Sequence, residues 1–504
     1  MYSSMALAVK ISIASDTLSL LKRIHQHLAG QGITAYLAGG MVRDLLLGRE
    51  VEDIDLAVAR NALEVAAEIA DELGGKYIPL DEENRVGRVV LTVADRKWEL
   101  DFSTIEADIE RDLARRDFTI DAMAIGLEEL ISHPQSPALI DPFHGQDDLS
   151  RGVIRVVNES AFAEDPVRLL RAVRLAAELA FKIHEDTEML ARRYAHLIDS
   201  VAGERVRGEL LRLLALPHSG QHIDYLEELG LLGNIFPELA QTKGVTQPRE
   251  HYWDVFEHSL RTVKAVDFLL REGDWEYGKR EVLAAVPWSE ALTQHFSHEV
   301  GHGSTRRSLL RLAALLHDIA KPQTKTVEET GRTRFLGHAT EGALAATDIM
   351  ERLRFSTREI RLVEVIVKYH LRPTQMSHEG LPTSRAIYRY FRDTGEAGID
   401  ILFFSLADHL ATRGKHLDLA HWREHAEVMA YVLARRAEEE KLTVPPKLMD
   451  GHDLINLFGL SPGPRFAEIL EAVREAQAAG EVTTREEALK YIGHTLKIPC
   501  RKDM

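Results

Sequence analysis

Cysteine is almost missing from this chain. There is one, Cys500, in 504 residues. No intramolecular disulfide framework can form, and such usage fits a reducing cytoplasm. A run of about 18 apolar residues is also missing, so no helical membrane span is expected. The first residues lack a basic stretch followed by a long apolar core, so no secretory signal is expected either. Positive charge is in deficit, with 62 Lys+Arg against 79 Asp+Glu and a net charge of −17. That balance weighs against a chain coated with phosphate-binding cations. The deficit is uneven, however. Residues 151–215 hold 11 Lys+Arg against 10 Asp+Glu, and many of those cations are arginines at helical spacing. An acidic protein can still offer RNA one basic face.

What remains is ordinary for a globular protein of two to four domains, with 45% hydrophobic and 28% charged residues. There is no internal repeat and no low-complexity tract. Residues 17–31 read as a helix, with Leu18, Leu21, Ile24 and Leu28 on one stripe. Residues 34–38 form a short apolar run ending in Gly39-Gly40, and residues 41–47 read as a helix. A strand, a glycine turn and a helix in that order present backbone N–H groups to an anion. Strand-like segments follow at 53–58, 88–93 and 98–102. From about residue 160 the pattern is helical almost throughout. Pro- and Gly-bearing breaks fall near 217–220, 244–248, 273–278 and 445–451. Residues 273–304 have weak periodicity and read as a loop-rich insertion.

The first chemical signal is Gly39-Gly40-Met41-Val42-Arg43-Asp44 followed by Asp53-Ile54-Asp55. Residues two apart in a strand point to the same side, so Asp53 and Asp55 project together. Paired carboxylates repel unless a cation lies between them, and hard oxygen ligands suit Mg²⁺. Asp101 ends the strand-like Trp98-Glu99-Leu100-Asp101. Three carboxylates on neighbouring strands can hold two Mg²⁺ ions for an in-line phosphoryl displacement. A D-x-D pair by itself is common on exposed edge strands. The glycine turn upstream is what gives this pair its meaning.

Further motifs extend the pattern: Arg115-Arg116-Asp117-Phe118-Thr119-Ile120, Asp141-Pro142 with Gly145 and Asp148-Leu149, and Glu164-Asp165-Pro166-Val167-Arg168-Leu169-Leu170-Arg171-Ala172-Val173-Arg174. Together these segments resemble the class II tRNA CCA-adding enzymes and bacterial poly(A) polymerases of the polymerase-beta-like nucleotidyltransferase superfamily. The resemblance covers residues 35–215. The 451–489 segment, with Pro462-Gly463-Pro464 and Ala476-Gln477, is also similar to the tail of members that carry an HD domain. The resemblance implies that Gly39, Gly40 and Arg43 cradle a triphosphate. It implies that Asp53 and Asp55 bind Mg²⁺ with Asp101 as third carboxylate, that Arg116 contacts phosphate and that Asp117 contacts the ribose. Asp165, Arg168, Arg171 and Arg174 would form the nucleotide-selecting helix, and the partners would be tRNA, CTP and ATP.

The residues support base selection independently. Asp165, Arg168, Arg171 and Arg174 recur every three positions, so neighbours are expected to share a helix face. A carboxylate accepts from the exocyclic amino group of C or A, and an arginine donates to the adjacent ring nitrogen. U and G present a carbonyl there, so they meet the carboxylate acceptor to acceptor. Two departures from the family pattern stand out. Asp121 occupies a position usually held by Asn and is assigned no catalytic role. The segment between Asp101 and Arg115 is shorter than in CCA-adding relatives, where it resembles the element needed to switch from C to A. CCA addition and CC-only addition both stay open, with the short segment weighing against the final A.

A second constellation lies downstream. His258, His317-Asp318, His338, His370 and Asp408 stand in helix-like surroundings, with Lys321 three residues past the aspartate. The order H…HD…H…H…D resembles the HD phosphohydrolase superfamily, which implies a divalent transition metal or Mg²⁺ and phosphoester hydrolysis. Among 23 histidines, His144, His184, His222 and His302 are read as structural or exposed.

The expected fold is an α+β nucleotidyltransferase domain, a small mixed sheet with helices, followed by a long, nearly all-α region containing an HD domain. The expected partition is a catalytic head at 1–150, a base-recognising helical neck at 151–220, a helical linker at 221–250, an HD domain at 251–440 and an RNA-binding helical tail at 441–504. The alternatives are poly(A)-type tailing by the same site, and a signalling enzyme that modifies a protein. The second has no sensor module at 415–504 and does not need the arginine segments. A catalytically dead RNA-binding module is disfavoured because every expected carboxylate is present.

Overall fold

The computed structural model describes residues 7–51, 53–93, 96–376, 380–441, 447–494 and 497. Pro445, Cys500 and residues 495–496 of the tail lie outside the described residues. The chain divides into two compact units, Met1–Val201 with Tyr225–Ile235, and Ala202–Asp224 with Phe236–Met504. This division follows other boundaries than the five-part partition: it cuts the expected neck after Val201 and assigns parts of 221–250 to each unit.

The first unit is built on one mixed sheet. Its strands are β1 (Leu7–Ala8), β2 (Ala35–Ala38), β3 (Asp53–Val58), β4 (Lys76–Asp81), β5 (Val86–Val93), β6 (Arg96–Thr104), β7 (Ala124–Gly126) and β8 (Ala138–Ile140). The order is β1-β8-β7-β2-β3-β6-β5-β4. Only β3 and β6 run parallel in it. Their register sets Asp53 opposite Glu99 and Asp55 opposite Asp101. The alternation in β3 explains the choice of face. Ile54 and Leu56 are buried, as are Leu100 and Phe102 beside them in β6. Helix Ala62–Leu73 packs on β5 and β6 with Val65, Ala66 and Ile69 buried. A one-residue slip would turn the acids into this core and the apolar set out to water.

Helix Gly40–Leu47 follows β2 through Gly39, whose φ of 74° favours glycine. The Asp141…Gly145…Asp148 motif has a structural explanation. The Asp141 carboxylate accepts from the Gly145 and Gln146 amides at 2.7 and 3.0 Å, at the start of helix Gly145–Arg151. Asp148 accepts from the Thr119 hydroxyl at 2.8 Å and from Arg155 at 3.0 Å. A Cβ on Gly145 would fall 2.1 Å from the Thr119 carbonyl oxygen, so only glycine lets this helix press against the turn after Arg116.

The second unit is helical. Val255–Leu269, Arg306–Leu316, His338–Arg352, Thr357–Tyr369 and Gly398–Arg413 pack together. Arg306–Leu316 is buried along nearly its whole length, Arg311 included. The Arg311 guanidinium is neutralised by Asp267 and Glu272, each at 2.7 Å, and donates to the Leu214 carbonyl at 2.6 Å. Removing one partner from such a buried set costs about 3–5 kcal/mol. Helices Gly451–Phe458, Pro464–Ala478 and Arg485–His494 bury Leu454, Phe458, Ile469, Val473 and Ile492 in a small core of their own.

The expected loop-rich insertion at 273–304 is more ordered than its periodicity suggested. It contains helices Arg280–Ala284 and Glu290–Ser297 and a strand pair at Glu299–Gly301 and Ser304–Thr305. Trp275, Val282, Phe296 and Val300 are buried in it. Its elements are too short for a 3.6-residue period to register.

Candidate functional site

In the head, the parallel pairing of β3 and β6 places Asp53, Asp55, Glu99 and Asp101 on one face. Sequence reasoning missed Glu99, although its position two residues before Asp101 is the same alternation that picked out Asp53 and Asp55. Arg88 was also missed. It lies on β5 directly opposite Asp101 and grips both oxygens of that carboxylate at 2.7 Å, with Glu99 as a further partner. Lys97 lies 2.6 Å from Glu99. Burial pushes the Asp55 carboxyl up to about 6. Arg116 opposes that shift, and Asp101 and Asp53 reinforce it.

The glycine turn adjoins this face. A Cβ on Gly39 would approach a terminal nitrogen of Arg116 to 2.5 Å and an Asp55 oxygen to 3.4 Å. The backbone of the turn, the Arg116 guanidinium and Asp55 therefore meet at one point. Arg43 lies deeper, with its donors directed to Asp44 and Asp121. Arg116 is held by Asp112 at 3.3 Å, from the helix Ile109–Ala114.

Asp117 links the two predicted residue sets. Arg171 lies 3.1 Å from its carboxylate, and the Phe118 amide donates to it at 3.0 Å. Burial by itself would raise the Asp117 carboxyl, but Arg171 and Arg168 outweigh it and hold the group below the usual range. Arg168 donates to the backbone carbonyls of Arg115 and Ala161 at 2.7 and 3.2 Å.

One expectation about this segment is corrected. Asp165 does not share a helix with the arginines. It ends helix Ala161–Glu164 in extended conformation, φ −146° and ψ 96°, and the next helix runs Arg168–Leu179. Pro166 is the reason, because the residue before a proline is pushed out of the α region. Asp165 stands instead at the entrance of the arginine helix. Within that helix Arg174 is 6% exposed and pairs with Glu178 at 2.5 Å.

The second unit brings all six predicted HD residues together. His258 Nε2 lies 3.0 Å from Asp408 and 3.2 Å from His317 Nε2. His317 Nε2 lies 3.0 Å from Asp318, and His338 Nε2 lies 3.5 Å from the other Asp318 oxygen. Two groups have donor atoms close enough to hold an ion, His258/His317/Asp318 and Asp318/His338/His370. Asp318 belongs to both.

The surroundings suit ligation. The Nδ1 atoms of His317, His338 and His370 lie 2.9, 2.6 and 2.6 Å from the carbonyls of Ala314, Phe335 and Val367. Each Nδ1–H donates there, which turns the Nε2 atoms of His317 and His338 toward Asp318, and that carboxylate pushes the His317 ring up despite its burial. Buried His338 Nε2 finds no hydrogen-bond partner among the described residues. Burial lowers His258, and burial together with His317 lowers His370 to about 3, so both rings are neutral and ready to ligate. The Asp318 carboxylate is held well below its usual range, since His317 and Lys321 outweigh its burial. Lys321 lies 2.6 Å from Asp318 and donates to Gln247 at 2.6 Å. A cavity of about 250 Å³ opens here, with Phe335 and Leu336 on its apolar side and His251 on its wall. His251 carried no sequence signal, because it precedes the helix on which His258 sits.

Comparison with known proteins places this chain among characterised relatives. The description "Poly A polymerase head domain" matches residues 35–155, "Probable RNA and SrmB-binding site of polymerase A" matches 180–242, and "HD domain" matches 255–413. An A-adding tRNA nucleotidyltransferase of Deinococcus radiodurans is 35% identical, covering 91% of this chain and 94% of its own. CC-adding tRNA nucleotidyltransferases of Thermus thermophilus and Geobacter sulfurreducens are 34% and 31% identical; the matches cover 91% and 95% of this chain and 93% and 95% of theirs. In fold, the chain is similar to a Thermotoga maritima CCA-adding enzyme complexed with tRNA, with TM-score 0.61, 22% identity and coverage of 98% of this chain and 100% of that one. Among the described residues no helix is long and apolar enough to cross a membrane. Full-length relatedness at this level, on a head that carries its carboxylates on adjoining parallel strands, establishes that the chain belongs to the tRNA nucleotidyltransferase family.

Proposed function

We propose that this enzyme adds C and/or A from CTP and ATP to the 3′ end of tRNA, with CC addition as its principal product. The observation that carries the reading is the acidic β3–β6 face meeting Gly39 and Arg116, and reaching the arginine helix through the Asp117–Arg171 pair. Asp53, Asp55 and Asp101 would hold Mg²⁺, with Glu99 beside them. Mg²⁺ there would neutralise charge on the transferring phosphoryl group and acidify the attacking hydroxyl. The Gly39 and Gly40 backbone, Arg43 and Arg116 would receive the triphosphate, and Asp117 the ribose. Asp165 and Arg168 would read the base edge. Arg171 would hold Asp117 in place, and Arg174 would anchor the helix through Glu178.

The preference for C rests on the connection after Asp101. It consists of the end of β6, four residues and the helix Ile109–Ala114, whose Ile109 and Leu113 are buried. Such a packed connection leaves little freedom for a site to be re-formed between C and A addition.

For the HD site we propose metal-dependent phosphoester hydrolysis by His258, His317, Asp318, His338, His370 and Asp408. These residues would hold Mg²⁺ or a divalent transition metal, which would supply the charge needed to polarise a phosphoester. Lys321 would hold Asp318 and meet a substrate phosphate. The five-part partition given above, with an RNA-binding neck and tail, belongs to the same reading.

Three outcomes follow. Offered tRNA lacking its end, or ending in C or CC, the enzyme extends the first two with CTP alone to CC, and adds A poorly to the third. Product lengths on a sequencing gel check this, and efficient A addition to the CC end would overturn the CC assignment. The second outcome concerns pH. Asp55 must lose its proton before it can take a metal ion. Below about pH 6 the half-saturating Mg²⁺ concentration should rise about tenfold per unit, and above it level off. Titration with Mn²⁺ followed by electron paramagnetic resonance checks this, and a flat profile would remove Asp55 from the metal site. Third, replacing His317 and Asp318 together with Ala should abolish phosphatase activity and HD-bound metal while C addition continues. Loss of addition in a folded variant would show that the two sites are not independent.

A further inference from the structure

Asp121 belongs to neither site as described, yet it contacts one of the proposed phosphate residues. Arg43 is 7% exposed, and each of its three guanidinium nitrogens donates to a carboxylate. Its Nε and one terminal nitrogen donate to the two oxygens of Asp44 at 3.0 and 2.9 Å. The other terminal nitrogen donates to Asp121 Oδ1 at 2.8 Å. The Asp44 contact is with the next residue in the chain. The Asp121 contact comes from 78 residues away and from a turn that the Gly145 helix holds in place. Two carboxylates meet one guanidinium beside the glycine turn, and burial pushes the Asp121 carboxyl up against the pull of Arg43.

Asp121 gives more than a structural clamp requires. It is 3% exposed, and its Oδ2 makes no hydrogen bond. Holding Arg43 needs one acceptor, Oδ1, which an uncharged side chain can also supply. The second oxygen contributes only charge, in a place where charge is costly to bury. Asp117, Arg171 and Arg116 are its other electrostatic neighbours, and all three carry proposed roles toward the nucleotide.

We propose that Asp121 is a positioning residue that sets how tightly the head holds phosphate. It fixes the Arg43 guanidinium while withholding much of its charge from the triphosphate and from the pyrophosphate that must leave. The proposal rests on the reading that Arg43 and the glycine turn receive the triphosphate. A head that gripped phosphate with an unopposed arginine would also retain its product.

The test is calorimetric binding of CTP, and separately of pyrophosphate, to the full chain in the presence of Mg²⁺. Asp121→Asn keeps the Oδ1 acceptor and removes the charge. It should tighten both ligands about tenfold, the order expected from removing one partly buried charge near the phosphate. Arg43→Ala should weaken both. In the Arg43→Ala background, Asp121→Asn should no longer tighten either ligand, a coupling that a general packing role would not produce. Asp121→Ser, a smaller uncharged acceptor, answers the same question if the Asn variant does not fold. If Arg43→Ala weakens binding and Asp121→Asn leaves it unchanged or weaker, Asp121 is a structural clamp and the proposal is wrong. If Arg43→Ala leaves binding intact, the phosphate reading of Arg43 fails, and the proposal fails with it.

Discussion

Four carboxylates share one face of two parallel strands, and their mutual repulsion is the constraint around which the head is organised. Asp53 and Asp55 stand opposite Glu99 and Asp101, so no relaxation of a single side chain separates them. The sheet keeps them there because its other face is already committed. Ile54, Leu56, Leu100 and Phe102 are buried, and moving the register by one residue would exchange acids for core. The fold therefore fixes a concentration of negative charge that only cations can relieve. Arg88, Arg116 and Lys97 relieve part of it from the protein's own side. Burial raises the Asp55 carboxyl, and the neighbouring Asp101 and Asp53 add to that rise.

The HD centre solves a similar problem by a different route. Its acids are few and its donors mostly neutral, so its ordering comes from backbone carbonyls rather than from opposing charge. Three histidines each give Nδ1–H to the carbonyl three residues earlier. For His317 and His370 the helix that buries the ring also supplies that carbonyl, and for His338 the strand end at Phe335 does. Asp318 then receives the Nε2 side of the cluster, with Lys321 closing the pair. One chain thus holds an oxygen-rich site suited to hard ions and a nitrogen-rich site suited to a wider range of metals.

Much of this was legible in the sequence because its signals are local. Asp53 and Asp55 show themselves through the period-two alternation of a strand, and Gly39-Gly40 through the turn between strand and helix. His317-Asp318 follows an apolar run that proves to be a buried helix. The missed features depend on partners distant in sequence or on local exceptions. Arg88 matters because β5 happens to pair it with Asp101, and nothing near residue 88 says so. Asp165 fits the three-residue spacing, but Pro166 breaks the helix that the spacing implies. Arg174 fits it too, yet its side chain is buried against Glu178 instead of exposed. The 273–304 segment hid its order because short helices and a two-stranded ribbon leave no sustained period.

The central claim is that the β3–β6 carboxylates hold the metal through which C addition proceeds. Incorporation of CTP into tRNA lacking its 3′ end, by Asp53→Ala and Asp55→Ala variants with unchanged circular dichroism, tests it most directly. The account predicts that each variant falls by about a thousandfold or more, since losing a ligand removes stabilisation worth several kcal/mol in the transition state. Incorporation near the unsubstituted rate in either variant would contradict it.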